Sequence, residues 1–165
     1  MCCVKPKKRS TASLNILLSN GRFPVSIDLA GQLKLAGHNV YVVDPMHYHV
    51  CKFSNSVRKS YQVPAPHIDA VEYTEGVQRA VEDANMDLII PMHEELLRLA
   101  EQTSDVNGRD NQIVRKRLFA PDFQTQIGLH NKLEFSQFLR EAGCEAPAHG
   151  CVGAWAMCGC YPTGR

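Results

Sequence analysis

Asn15-Ile-Leu-Leu-Ser-Asn-Gly-Arg-Phe-Pro24, an amphipathic run to Gly37, and then Asn39-Val-Tyr-Val-Val-Asp44 form the stretch that decides the fold. The first part is a short apolar run closed by Asn20-Gly21, the pattern of a buried strand and a turn. The second spaces Phe23, Ile27, Ala30 and Leu33 at helical intervals, with Pro24 near its start and Gly37 past its end. The third is a Val/Tyr-rich strand that ends on an acid. Strand, helix, strand at this length is a βαβ unit. Its parallel strands need a right-handed crossover and a sheet covered on both faces.

Working outward, Pro45–Cys51 is a polar and aromatic loop where the second strand ends. Tyr61-Gln-Val63 is a short strand stopped by Pro64 and Pro66, suited to a sheet edge. Asp69 is positioned to cap a helix running to about Asn85. Asp87–Pro91 reads as a buried strand ended by proline, and Met92–Glu101 as the helix after it. Thr103–Gln112 is a loop, Arg117–Ala120 a candidate final strand, and Pro121-Asp122 opens a short helix. Asn131–Ala142 is a further helix with Phe135, Phe138, Leu139 and Ala142 on its inner face, stopped by Gly143. The alternation predicts an α/β fold with an open, mainly parallel, doubly wound sheet. Residues 14–148 form the expected domain, between a basic tail at 1–13 and a cysteine-rich tail at 149–165.

The chain has 165 residues, 44% hydrophobic and 21% charged, enough for one domain with its own core. A net charge of +1 gives no general case for nucleic acid or an anionic membrane as partner. No apolar run approaches the ~20 residues of a membrane span. The cysteine count is seven, an odd number, and no secretory signal precedes the fold, so free thiols and a cytoplasmic location are expected. The Lys5–Arg9 patch, Lys-Pro-Lys-Lys-Arg, offers a nuclear address as the alternative.

In open α/β sheets ligands bind at the carboxyl ends of the strands. Four segments reach that edge: Asn20-Gly21-Arg22, Asp44–Cys51, Met92–Glu95 and the region after Phe119. A GxGxxG dinucleotide cradle is absent at the first turn, where only Gly21 is present and Arg22, Phe23 and Pro24 are bulky, which argues against a dinucleotide despite the well-placed Asp44. Arg22 suits an anion near the first helix, or a neighbouring acid. Asp44, His47, His49, Cys51 and His93 are metal-ligand types, but no spacing fixes a full coordination set, and no metal is expected. Of Glu94 and Glu95, one should face the cleft, where a carboxylate can hold a substrate ammonium. The other reading of these acids is the first turn of a helix, favoured by its dipole.

Pro91-Met-His-Glu-Glu95, with Asn131-Lys132 opening a helix that ends Glu141-Ala-Gly-Cys-Glu-Ala-Pro147, resembles the N-terminal part of the ATP-grasp superfamily, the group of biotin carboxylases and carbamoyl-phosphate synthases. The resemblance covers about Leu14–Ala148; Asn131 stands where Asp is more usual. It implies a pre-ATP-grasp, Rossmann-like domain forming one wall of a substrate site for a small carboxylate or amine. It also implies ATP and Mg2+ as cofactors of full-length relatives, with Lys132 on the ATP phosphates and Glu94 in the cleft. Topology adds Asn20, Gly21, Arg22, Asp44 and His93 to that cleft. The composition break at His149 leads to the expectation of a chain truncated before the ATP-binding lobes, without independent catalysis or tight ATP binding. A stand-alone Rossmann-like binding or interaction domain is the alternative, and a metal-dependent hydrolase the third reading.

Overall fold

The computed structural model describes residues 12–104 and 111–145. The basic patch and the cysteine-rich tail lie outside the described residues, as does most of the Thr103–Gln112 loop. The ordered elements are β1 (Asn15–Ser19), α1 (Pro24–Leu35), β2 (Asn39–Asp44), a 3-10 turn at Val50–Phe53 and β3 (Lys59–Gln62). They continue with α2 (Ala70–Asp83), β4 (Leu88–Ile90), α3 (Glu95–Gln102), α4 (Gln112–Arg117), α5 (Phe123–His130) and α6 (Lys132–Glu141). The chain divides into two compact units, Met1–Phe123 and Gln124–Arg165.

In the first unit all four strands are parallel, in the order β3-β2-β1-β4. Side chains alternate across the sheet, so β1, β2 and β4 each feed two cores. Ile16, Leu18, Val40 and Val42 pack with Ala30, Ile27 and Leu33 of α1 on one face. Leu17, Val43 and Ile89 pack with Tyr73, Val77, Ala80 and Val81 of α2, Leu99 of α3 and Val114 of α4 on the other. The sheet is therefore doubly wound, and β3 lies at an edge as its prolines require.

Helix ends follow local chemistry. Asp69 caps α2 by accepting from Val71 N–H and Glu72 N–H, a cap of the kind that contributes about 1 kcal/mol. Helix α1 closes on Gly37, at φ 96°, with His38 N–H donating to Leu33 C=O and Gly37 N–H to Lys34 C=O. That is a Schellman stop, and the left-handed residue it needs is what a glycine supplies without strain. Helix α6 ends the same way at Gly143.

Two expectations are corrected. Arg117–Ala120 is not a strand: α4 runs to Arg117, and only Leu118 bridges to Ile89, with Phe119 N–H donating to Ile89 C=O. Three basic residues in its last turn, Arg115, Lys116 and Arg117, favour that helix end electrostatically. In α6 the residue that is buried is Ser136, whereas Phe135 and Phe138 are exposed. No helix among the described residues is long and apolar enough to cross a membrane.

Candidate functional site

Strand order reverses at β1. From it the chain moves to β2 and β3 on one side and to β4 on the other, so the carboxyl ends of β1 and β4 form the topological switch point. This is where a parallel sheet opens a crevice, because the loops leaving the two strands diverge to opposite faces. The β1–α1 turn supplies Ser19, Asn20, Gly21 and Arg22. The β4–α3 turn supplies Met92, His93, Glu94 and Glu95.

Glu95, the first residue of α3, joins the two turns. It is 5% exposed. Its Oε1 accepts from Met92 N–H at 3.0 Å, from His93 N–H at 3.1 Å and from the Ser19 hydroxyl, and its Oε2 accepts from the Asn20 amide. Ser19 Oγ in turn accepts from Met92 N–H at 2.7 Å. A buried carboxylate is tolerated only when its oxygens are satisfied in this way. Above it, the rings of Phe23 and His93 stack with centroids 5.3 Å apart. His93 is exposed and Glu94 is exposed at the N-cap of α3, where its side chain makes no cap bond. The pair therefore divides: Glu95 ties the two turns together, and Glu94 is exposed beside it.

A second buried carboxylate ties the first turn to β2. Asp44 is fully buried and accepts from Arg22 N–H at 3.0 Å, from Arg22 Nε at 3.3 Å and from Met46 N–H at 2.7 Å. Both of its oxygens are thus engaged within the fold, and Arg22 has the neighbouring acid that the sequence allowed as one of its two readings. Beside it Gly21 is packed so closely that an added Cβ would stand 2.6 Å from the His49 ring and 2.5 Å from Val42 Cγ1. His49 is buried, its Nε2 2.7 Å from Ser60 Oγ, and its Nδ1 has no hydrogen-bond partner among the described residues.

Burial, reinforced by the charge of Asp44, pushes the Cys51 thiol up to about 11. Burial likewise pushes the Tyr73 phenol well above its usual range, with Glu95 and Asp44 adding to the shift. Both groups are neutral at physiological pH, so Cys51 is a packing residue and not a nucleophile. Alkylation at pH 8 should modify exposed Cys144 and spare Cys51 until denaturant is added; equal native labelling of the two, read by mass spectrometry, would contradict this. Since the folded thiol ionises later than the unfolded one, Cys51 contributes stability that is complete below pH 9.0 and lost as pH rises towards about 11.

Lys132 is exposed as the first residue of α6, in the unit from Gln124 onward. Asn131 caps that helix by accepting from Leu133 N–H at 3.1 Å and donates to Glu134 Oε1 at 2.9 Å. Asparagine is among the residues favoured for such a cap, as aspartate is. Among the described residues no three His, Cys, Asp or Glu side chains group closely enough to hold a metal ion.

No protein-family model and no curated relative matches the sequence. Solved structures do match. An L-amino acid ligase from Bacillus licheniformis superposes with a TM-score of 0.60 at 14% identity, over 84% of this chain and 32% of that one. A multifunctional pyruvate carboxylase from Rhizobium etli gives 0.58 at 18% identity, over 86% of this chain and 13% of that one. An N5-carboxyaminoimidazole synthetase from Staphylococcus aureus, complexed with ADP, gives 0.54 at 16% identity, over 79% and 30%. The chain thus spans a third or less of the length of these proteins. At such identities the likeness is one of fold, and it is the fold that the resemblance to ATP-grasp ligases implies.

Proposed function

We propose that this chain forms the Rossmann-like wall of the substrate site in an ATP-grasp carboxylate ligase-like protein. The observation that supports this reading best is the contrast between the two carboxyl-edge turns. The β1–α1 turn, where a nucleotide-binding sheet of this type would cradle a pyrophosphate, is filled by His49 against Gly21 and closed by Phe23 and Pro24. The β1/β4 crevice is instead held by Glu95 in a fixed geometry, with polar groups left at its rim. Arg22 uses Nε on Asp44, which leaves its terminal nitrogens for a substrate carboxylate, and Glu94 offers a carboxylate to a substrate ammonium. ATP and Mg2+ belong, in this reading, to a site that Lys132 joins and that needs more of a ligase than this domain alone.

The role divides into two measurable parts. Titration of the 15N-labelled protein with a small zwitterion such as L-alanine should shift the amides of Asn20–Phe23 and His93–Glu95, and Glu94→Gln should abolish the response. Shifts confined to other residues, or none at millimolar concentration, would remove the substrate-wall assignment. Isothermal titration with Mg-ATP should give no saturable heat. Tight binding lost in Lys132→Ala would show that the domain handles nucleotide by itself.

A further inference from the structure

The segment between Asp44 and Asp69 contains no Asp or Glu, yet it carries Lys52, Arg58 and Lys59 together with His47, His49 and His67. Within it the loop after β2 turns a group of large apolar side chains outward. Tyr48 is 68% and Phe53 72% exposed, with Val50 at 48%. Isolated exposed hydrophobic residues are ordinary; a contiguous and ordered set is not. Here the Tyr48 and Phe53 rings lie parallel within 6° at 6.3 Å, and His47 packs edge-on against Tyr48 at 4.5 Å. Lys52 Nζ sits 5.3 Å from the Tyr48 centroid. Val50 and Phe53 are three residues apart in a 3-10 turn, where such positions eclipse on one face.

The loop is also fixed from beneath. Buried His49 reaches Ser60, buried Cys51 donates its N–H to Gly21 C=O at 3.1 Å, and Lys52 Nζ donates to His47 C=O at 2.8 Å. A surface already ordered loses little conformational entropy when something binds to it. Nothing in the fold requires Tyr48 or Phe53 to be aromatic, since both point away from the two cores. Their ordered exposure is a feature of the surface.

We propose that Tyr48, Val50 and Phe53, flanked by Lys52, form a docking surface for an acidic segment of a partner protein that carries apolar anchors. Charge selects the occupant. The patch holds no acid of its own. Lys52 bonds to His47 within the loop and, among the described residues, has no carboxylate partner. Lys59 is paired with Asp83, so Lys52 is the unneutralised cation beside the apolar plate, and it matches a carboxylate flanking Leu, Phe or Trp side chains. A nucleic-acid footprint needs a denser basic field than a chain of net charge +1 provides. This surface is independent of the ligase reading and survives its failure.

The probe is a fluorescein-labelled synthetic peptide with four glutamates interspersed with two leucines and a tryptophan; its control replaces every glutamate with lysine. The acidic peptide should bind with amide shifts centred on Met46–Phe53, and the lysine control should not. Tyr48→Ser and Phe53→Ser should each weaken binding about tenfold or more, as loss of a central aromatic anchor does. Lys52→Glu should weaken it roughly threefold or more, an effect reduced in high salt. Because these side chains are exposed, the melting temperature should remain close to that of the parent protein, so loss of binding is not loss of fold. Equal binding of the two peptides, shifts located elsewhere, or stronger binding to oligouridylate or phosphatidylserine vesicles would each overturn the assignment.

Discussion

Glu95→Ala is expected to lower folding stability by about 3–4 kcal/mol, because it leaves the donors of Ser19, Asn20 and His93 without their common acceptor at roughly 1–3 kcal/mol per buried orphan, while Met92 N–H keeps Ser19 Oγ. The sum is held below three full penalties because the Asn20 and His93 bonds are only partly buried, so water can reach some of these groups. Glu95→Gln should fall between the two. It keeps an acceptor for Met92 and His93 but turns an amide NH2 towards the Asn20 NH2, so one contact becomes a donor facing a donor. Glu94→Ala, at the adjacent position but exposed and making no cap bond, should change stability by less than about 0.5 kcal/mol. Urea denaturation of the three variants separates the cases. If Glu95→Ala unfolds within about 1 kcal/mol of the parent, the carboxylate is not the latch between the two turns. The contrast also bears on function, since a Glu95 variant that still folds should lose the zwitterion response through a loosened crevice, and Glu94→Gln should lose it with stability intact.

Which of two adjacent glutamates is structural was the part of the site hidden from sequence. Glu94-Glu95 follows a strand, a proline and two further residues, and either could begin α3. The start of that helix depends on where the chain leaves Ile90, and a boundary of this kind is set by tertiary bonds to Ser19, far away in sequence. The fold itself was legible because it rests on periodicity. The continuous apolar run Ile16–Leu18 of a strand buried on both faces, and the helical spacing of Ile27, Ala30 and Leu33, both appear in the order of residues. So do the caps: Asp69, Gly37, Asn131 and Gly143 each sit where their chemistry ends or begins a helix. The candidate strand at Arg117–Ala120 misled because an apolar pair after a basic run looks the same whether it pairs at four positions or at one. Asp44 was legible as a strand-end acid; that its two oxygens would be spent on Arg22 and Met46 was not, since both bonds depend on the three-dimensional closeness of the first turn to β2.

Gly21→Ala is the companion case, in which a small addition should cost nearly as much as a deletion. Among the described residues the glycines in left-handed conformations are Gly37 and Gly143, so backbone freedom is not what Gly21 provides. It provides absence. A methyl group there would stand 2.5 Å from Val42 Cγ1 and 2.6 Å from both Cε1 and Nδ1 of His49, distances at which something must move. Val42 is a fully buried residue of a central strand, and His49 is held through Ser60, so neither is a loose side-chain end. Overpacking of this kind is expected to lower stability by about 2–3 kcal/mol. Relief through the turn would draw Arg22 away from Asp44, leaving a buried carboxylate with one donor fewer. His49→Ala removes one of the two obstacles, at its own cost in lost packing. In the double variant Gly21→Ala/His49→Ala the alanine methyl enters the space the imidazole vacates, so the two losses should not add, with a favourable coupling of about 1–2 kcal/mol. Additive losses in that cycle would mean that Gly21 and His49 are not in contact, and with that the account of a filled first turn, on which the exclusion of a pyrophosphate cradle rests, would fail.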